Sequence, residues 1–389
     1  MDKLQEHSAK LLRETSIKFH RYMYNRINWD TRLIGLTGPR GIGKTTMVLQ
    51  YIKKNLNIAE TLYVTAEEFY FTNNKLIDLA DDFSKIGGKY LFIDEIHKYN
   101  DWSKELKLIY DYHPDLKVVF TGSSVLDINK GAADLSRRAV MYNMQGLSFR
   151  EYLTLFHNIE LDIYTIEEIL AHKVNTPKDF RPLAYFGDYL KRGYYPFSSD
   201  TDFSIRMMQI INQTLEVDIP FYADINLSTA RKLKQLLSII SQSVPFKPNI
   251  SSIATAISSS RNSIADYLLY IEEAGLISQL RTTTGGIKGL GKVDKVYLDN
   301  SNLIYALAFS NAEIGNIRET FFMNQLRVID NVITSPQSDF KVGERTFEIG
   351  GKNKKQKQIE GLTNAYLVKD DIEFGYLNSI PLWQFGLLY

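Results

Sequence analysis

Near its start the chain reads Leu33-Ile34-Gly35-Leu36-Thr37-Gly38-Pro39-Arg40-Gly41-Ile42-Gly43-Lys44-Thr45-Thr46. An apolar strand, a glycine loop and a helix follow one another there, which is the context that the pattern G-x-x-x-x-G-K-[ST] requires. Glycines let consecutive backbone N–H groups turn towards phosphates, and the helix N-terminus adds the positive end of its dipole. We therefore predict that residues 38–46 bind a nucleotide, with Lys44 at the β- and γ-phosphates and Thr45 as a ligand of Mg²⁺.

The bulk composition excludes several classes of protein. The 389 residues suffice for two or three domains, and a net charge of +1 gives no overall attraction to nucleic acid or membrane surfaces. The chain has no cysteine, which excludes disulfides, zinc–thiolate sites and cysteine nucleophiles. No run of about 18 apolar residues occurs, so we expect no membrane span and a cytoplasmic protein.

The residue pattern divides the chain into four predicted segments: 1–155, 156–227, 228–310 and 311–389. In the first, short apolar strands alternate with helical stretches, which is typical of an α/β fold with a parallel sheet. Its predicted strands are Leu33–Thr37, Leu62–Thr65, Tyr90–Asp94, Leu116–Thr121 and Ala139–Asn143. The second segment is predicted to be helical, the third to form three helices and a hairpin in the manner of a winged helix, and the fourth to be a small α+β domain.

Two carboxylates end the strand Tyr90–Asp94, namely Asp94 and the adjacent Glu95. Asp94 is predicted to bind Mg²⁺, usually through water, and Glu95 to orient or deprotonate the attacking water. The alternative is that Asp94 caps the next helix and Glu95 is solvated. The segment also fits the D-E-x-H box of helicases through His97, although no second RecA-like half is visible.

Three further side chains are candidates for contact with the γ-phosphate. Ser123 follows the strand that ends at Thr121, and ligands lie at that edge of open α/β sheets. Arg138 or, less favoured, Arg137 could stabilise transition-state charge, in cis or from a neighbouring subunit. The alternatives are that Ser123 caps a helix and that the arginines only solvate a surface.

The order of these motifs resembles the prokaryotic AAA-type ATPases with a C-terminal domain of unassigned function, which are related to AAA+ and STAND ATPases. The resemblance rests on Gly38–Thr46, Asp94–Lys98, Thr121–Ser124, Leu135–Arg138 and Leu147–Leu153, and it extends to the ending Ile380–Trp383. The resemblance implies that the nucleotide is ATP. The residues themselves show only that the guanine-reading motif Asn-Lys-x-Asp is absent. Family members often have glycine before the arginine matched by Arg138, where this chain has Arg137.

The resemblance also implies a C-terminal fold like the PD-(D/E)xK nucleases. Glu319, Asp339 and Glu348 resemble the metal-binding acids of those enzymes, in which a lysine two positions after the last acid steadies the attacking water. Here Lys352 lies four positions after Glu348, and a glycine bulge at Gly350-Gly351 would be needed to bring it back. The alternative is a relic fold used for docking.

DNA is a candidate partner of the predicted winged helix. Basic residues outnumber acidic ones by four in residues 228–310, the candidate recognition helix begins near Arg261, and Arg281, Lys288 and Lys292 could reach phosphates from the wing. The alternative is a lid or a surface that docks a protein partner or a second copy.

We interpret the sequence as a Mg²⁺-dependent ATPase that drives conformational change in its attached domains. Two alternatives stay open. One is a slow nucleotide-loaded switch whose output is protein binding, and the other is an ATP-coupled DNA nuclease.

Overall fold

The computed structural model describes residues 2–122, 135–243, 245, 247–282, 292–307 and 312–389. The chain divides into two compact units, Met1–Gly146 and Leu147–Tyr389. Each is described separately below. The four predicted segment boundaries stay a prediction.

A parallel sheet of five strands lies at the centre of the first unit. The strands are β1 (Leu33–Thr37), β2 (Thr61–Thr65), β3 (Tyr90–Asp94), β4 (Lys117–Thr121) and β5 (Val140–Asn143). They lie in the order β2-β3-β4-β1-β5, and every neighbouring pair is parallel. The predicted α/β core of the P-loop NTPase type is confirmed, and the strands agree with their predicted bounds to within one residue at each end.

Amphipathic helices cover this sheet. The described helices of the first unit are α1 (Asp2–Glu14), α2 (Met23–Arg26), α3 (Lys44–Asn55), α4 (Leu76–Lys85) and α5 (Trp102–Tyr112). In α4 the buried side chains recur every three or four residues and so form one apolar face (Leu76, Leu79, Ala80 and Phe83). That face joins the core formed by the buried side chains of β2, β3 and β4.

Gly35 allows the close packing of the central strand β1. A methyl group added at Gly35 would lie 2.4 Å from Sδ of Met141 and 2.7 Å from Cζ of Phe120. Met141 and Phe120 belong to the two strands that flank β1, so the side chains of β4 and β5 close over the backbone of β1 at this point. The strand that leads into the glycine loop is therefore held firmly from both sides.

The second unit contains more helix than strand among its described residues. In chain order the helices are α6 (Phe149–His157), α7 (Ile166–Leu170), α8 (Pro182–Asp188), α9 (Phe203–Gln213), α10 (Ile219–Ala223), α11 (Leu227–Ser243), α12 (Ile250–Ala256), α13 (Arg261–Glu273), α14 (Ser301–Leu307) and α15 (Ile314–Leu326). The strands β6 (Ile277–Arg281) and β7 (Val293–Leu298) form an antiparallel hairpin after α13. Three helices and a hairpin thus follow one another as the sequence suggested, while the assignment to a winged helix stays a prediction.

A second, mixed sheet completes this unit. Its strands are β8 (Val332–Thr334), β9 (Phe340–Val342), β10 (Arg345–Gly350), β11 (Ala365–Lys369) and β12 (Ser379–Pro381), in the order β12-β11-β10-β9-β8. Strands β10 to β12 are parallel and β8 to β10 antiparallel. This sheet and α15 form the small C-terminal region of helix and strand that was predicted. None of the described helices is long and apolar enough to cross a membrane.

Candidate active site

The loop between β1 and α3 adopts a conformation that requires glycine. Gly38, Gly41 and Gly43 have φ values of 145°, 78° and 93°, which side chains strongly disfavour. A methyl group on Gly38 would also lie 2.2 Å from the carbonyl oxygen of Met144. Helix α3 starts at Lys44, directly after Gly43, so its N-terminal N–H groups face the loop as anion binding requires.

Lys44 is buried under this loop. Its Nζ donates to the carbonyl oxygens of Gly38 and Pro39 at 2.7 and 2.8 Å. The amine is thereby fixed beside the concave side of the loop, where a phosphate would meet the helix dipole and the lysine charge together. The rest of the predicted binding stretch forms the loop and the first turn of α3, with Ile42 buried and Gly41 and Thr46 exposed.

Arg21 donates hydrogen bonds to the backbone of the loop, and the sequence did not predict this role. Its side chain is buried, donates from Nη1 to the carbonyl oxygen of Ile42, and donates from Nη2 to the carbonyl oxygen of Gln145 at 2.7 Å. A buried charge that spans two backbone segments fixes their separation. Arg21 precedes the first strand and belongs to no recognisable motif, so only the fold brings it here.

Asp94 accepts hydrogen bonds from three hydroxyl groups. The Thr45 hydroxyl donates to Oδ2 at 2.6 Å and the Tyr63 hydroxyl to the same oxygen at 2.8 Å. The Thr121 hydroxyl donates to Oδ1. Asp94 is buried and its carboxylate faces the first turn of α3, so it does not cap the turn that follows β3.

These residues fit a magnesium ion. The two predicted ligands, Thr45 and Asp94, present a hydroxyl and a carboxylate oxygen within hydrogen-bond distance of one another. Both are hard oxygen donors, and Mg²⁺ in nucleotide sites is held by few protein ligands, the remainder being phosphate oxygens and water. Across the described residues no group of three or more His, Asp or Glu side chains is arranged to hold a metal ion.

Glu95 lies next to Asp94 in a left-handed backbone conformation, with φ of 50°. Its backbone N–H donates to the Thr121 hydroxyl at 3.3 Å, and its Oε2 lies 3.4 Å from Nε2 of the buried His97. A side chain in this region of φ is unusual and is maintained by its surroundings. Glu95 thus directly follows the residue predicted to hold the metal, and its carboxylate lies beside His97.

Among the described residues at the end of β4, Thr121 contacts both acidic residues, through the carboxylate of Asp94 and the backbone N–H of Glu95. Strand β4 pairs with β3 on one side and β1 on the other, so its end lies between the loop and Asp94. The predicted residue Ser123 lies outside the described residues. Thr121 begins the motif Thr121-Gly122-Ser123-Ser124, but nothing in the sequence singled it out.

Arg138 lies at the opposite end of the strands from the glycine loop. It precedes β5, whose first residue Val140 pairs with Ile34 near the start of β1, whereas the loop follows the end of β1. Its Nε and Nη2 donate to the two carboxylate oxygens of Asp111 at 3.0 Å each, and this hydrogen bonding lowers the pKa of Asp111. Arg137 is exposed. Neither arginine is brought to the nucleotide loop of its own chain.

The predicted nuclease-like acids of the second unit are neutralised by internal lysines. Lys295 Nζ lies 3.4 Å from Glu319 and 3.5 Å from Asp339. The Tyr297 hydroxyl also donates to Glu319 at 2.8 Å. Burial, reinforced by the Asp339 carboxylate, raises the pKa of Glu319. A lysine ammonium therefore occupies the space between two carboxylates that a nuclease would use for metal.

Lys354, and not Lys352, contacts the third acid. Glu348 is fully buried and pairs with the Lys354 amine, while its Oε2 accepts from the Ser338 hydroxyl at 2.8 Å. Lys352 is exposed. The sequence allowed Lys352 to reach Glu348 only through a glycine bulge. Instead, the Lys354 N–H donates to the Gly351 carbonyl at 2.9 Å, which closes a turn directly after the strand.

The predicted wing contacts are only partly available. Arg281 Nη2 is paired with Glu272 at 2.5 Å, so its charge is already used within the unit. Lys288 lies outside the described residues, and Lys292 is exposed. Arg261 is exposed at the start of α13 and lines an open polar cavity of about 640 Å³ with Lys232 and serines of α12 and the following turn.

Comparison with known families supports an AAA-type P-loop ATPase. Residues 30–153 match a family described as an AAA domain, AAA_14, which contains the glycine loop, Asp94, Glu95 and both arginines. Residues 183–313 match a domain of unknown function, DUF8612, which assigns no activity to the three helices and hairpin. ATP binding and hydrolysis by the first unit agree with the first match and with the geometry above.

Individual relatives are distant. The uncharacterised protein MJ1637 of Methanocaldococcus jannaschii is 25% identical over 65% of this chain, and the match spans 57% of that relative's length. The Walker-type ATPase PABY2304 of Pyrococcus abyssi is 12% identical with a TM-score of 0.45, over 75% of this chain and 96% of its own. AMPPCP-bound DnaA of Aquifex aeolicus is 12% identical with a TM-score of 0.26, over 70% and 88%. Similarity at these TM-scores carries no functional argument.

Proposed function

We propose that the first unit binds ATP with Mg²⁺ and hydrolyses it, using Glu95 to activate water. The observation that supports this most is the contact of Thr45 with Asp94 at 2.6 Å, at the end of a glycine loop and beside a second carboxylate. A fold that only held a nucleotide would not need Glu95 next to the metal-binding acid. The family match over residues 30–153 agrees with the proposal.

The residues divide the chemistry between them. The loop N–H groups and Lys44 hold the β- and γ-phosphates, and Thr45 and Asp94 would hold the ion, whose charge offsets that of the phosphates. Glu95 accepts a proton from water as the water oxygen attacks the γ-phosphorus. The bond from that phosphorus to the bridging oxygen breaks, and ADP leaves.

Arg138 would complete this site only from a neighbouring copy. Arg138 pairs with Asp111 at the end of the strands opposite the loop, so it is separated from the loop of its own chain. In this proposal a second copy presents the arginine, and hydrolysis changes the position of residues 147–389. Contact of that region with DNA through Arg261, or with a protein partner, stays a prediction.

The test is Glu95→Gln, with Glu60→Gln as the matched control on the surface. We expect the glutamine variant at position 95 to bind MgATP as the wild type does and to turn it over about 10²–10⁴ times more slowly. Glu60 pairs with Lys89 away from the loop, so its variant should keep full turnover. Calorimetry gives the affinity and phosphate release gives the rate.

Two results would count against the proposal. Tight nucleotide binding with negligible turnover in the wild type would replace the ATPase by the slow switch. Absence of any binding of MgATP would remove both. The nuclease alternative is not put forward, because Lys295 and Lys354 occupy its acids.

A further inference from the structure

Of the three hydroxyl groups that donate to Asp94, two also have another role. Thr45 stands in the glycine loop motif as the other predicted ligand of the ion, and Thr121 also accepts the N–H of Glu95 at 3.3 Å. The third hydroxyl, that of Tyr63, belongs to no motif. In the described part of the chain its recorded hydrogen bond is the one to Asp94.

Tyr63 reaches Asp94 because of the strand order. It lies in the middle of β2, opposite Phe92 on β3, so its side chain crosses towards the end of the neighbouring strand. Tyr63 and Asp94 are each 5% exposed. A hydrogen bond from a neutral donor to an ionised carboxylate in such a buried place is shorter and stronger than one between neutral groups.

The Tyr63 hydroxyl donates to Oδ2 of Asp94 at 2.8 Å, and a carboxylate oxygen can only accept. Together with Thr45 on the same oxygen, Tyr63 therefore fixes the rotation of the Asp94 carboxylate about its Cβ–Cγ bond. Oriented carboxylates are what metal sites require, and loss of such an outer hydrogen bond weakens metal affinity.

We propose that Tyr63 is a positioning residue that holds Asp94 in the orientation that receives the magnesium of MgATP. This role rests on the proposed function of the site, because it needs a nucleotide and its ion. A purely structural role would make Tyr63 important for packing and not for the effect of Mg²⁺ on nucleotide binding. The two roles therefore differ in a quantity that does not involve turnover.

The experiment compares ADP affinity in Mg²⁺ with ADP affinity in EDTA, by calorimetry on the whole 389-residue chain. For Tyr63→Phe we expect unchanged affinity in EDTA and a gain from Mg²⁺ that is about tenfold smaller than in the wild type. An equal loss of ADP affinity in Mg²⁺ and in EDTA would indicate a packing role and overturn the proposal.

Tyr99→Phe is the matched control. Its hydroxyl also donates to a carboxylate of the first unit, that of Glu105, at 2.9 Å and away from Asp94. This variant should keep the full gain from Mg²⁺. A Tyr63→Phe protein with the same gain as the wild type would exclude the positioning role, whereas a wild type without any gain from Mg²⁺ would overturn the proposed function itself.

Discussion

At the scale of single residues, Thr121 connects the two acids of the candidate site. Its hydroxyl donates to Asp94 and accepts from the backbone of Glu95, and its side chain is almost fully buried. A valine has nearly the same shape but can do neither. The residue thus allows the contribution of one oxygen atom to be measured.

We expect Thr121→Val to lower ATP turnover by about tenfold, as for other groups that orient a metal-binding acid. The loss of a buried hydrogen bond should also reduce the free energy of unfolding by about 1–2 kcal/mol. Steady-state kinetics and chemical denaturation measure the two effects.

Thr61→Val is the comparison variant. Thr61 is the first residue of β2, and its hydroxyl donates to the Asn57 carbonyl at 2.8 Å. This variant should lose stability without a matching loss of turnover. If both variants lowered turnover equally, the role of Thr121 at the acids would be refuted.

Single residues also show where the sequence sufficed. Glycines at 38 and 43 could be predicted because the loop pattern prescribes them, and both have positive φ in the structure. Tyr63, Thr121 and Arg21 could not, because their partners are set by which strands are neighbours. That information is absent from local patterns.

At the scale of elements, strand existence was predictable and strand order was not. Apolar runs of five residues bounded by polar turns indicate buried strands wherever they lie in the sheet. Insertion of β4 between β1 and β3 is decided by packing across the whole sheet. It is this insertion that places Thr121 beside Asp94.

The hairpin strand β7 gives a second prediction, at the buried acid pair. Glu319 has a raised pKa in the folded unit and faces Asp339, Lys295 and Tyr297. A raised carboxyl pKa stabilises the fold at pH values below the unfolded value of 4.5, and that stability is lost as the pH rises through the folded value. Between the two values the stability of the wild type should fall relative to Glu319→Gln by about 1.4 kcal/mol per pH unit.

Melting curves of wild type and Glu319→Gln from pH 4 upward test this. Glu344→Gln is the reference for an exposed carboxylate, since the Glu344 side chain is 89% exposed and lies 3.6 Å from the Lys341 amine. Parallel pH profiles for wild type and Glu319→Gln would show that the acid pair does not titrate as described.

At the scale of the whole molecule, the position of Arg138 predicts that activity requires two copies. Glu95→Gln and Arg138→Ala should each be nearly inactive when assayed alone. In an equal mixture, an intact Glu95 can meet an intact Arg138 from the neighbouring chain in about a quarter of head-to-tail contacts. Activity should therefore reappear on mixing and depend on protein concentration.

Arg137→Ala is the control, because Arg137 is the exposed neighbour of Arg138. This variant should be active when assayed alone, without needing a second variant to restore its turnover. Absence of any recovery, in mixtures shown by sedimentation to contain joint assemblies, would refute donation between chains.

The turn at Gly351 has a consequence for finding similar proteins. Gly350 leaves room for the aliphatic part of Lys354, which would otherwise lie 2.5 Å from an added methyl group, so the chain doubles back over its own strand. A search template that demands a lysine two places after the acid will reject this chain, and one relaxed to four places will select the solvent-facing Lys352. A template with two adjacent glycines between the acid and a lysine six places later describes the pairing of Glu348 with Lys354. Such a template would select chains in which a lysine amine pairs with the acid at the end of this strand.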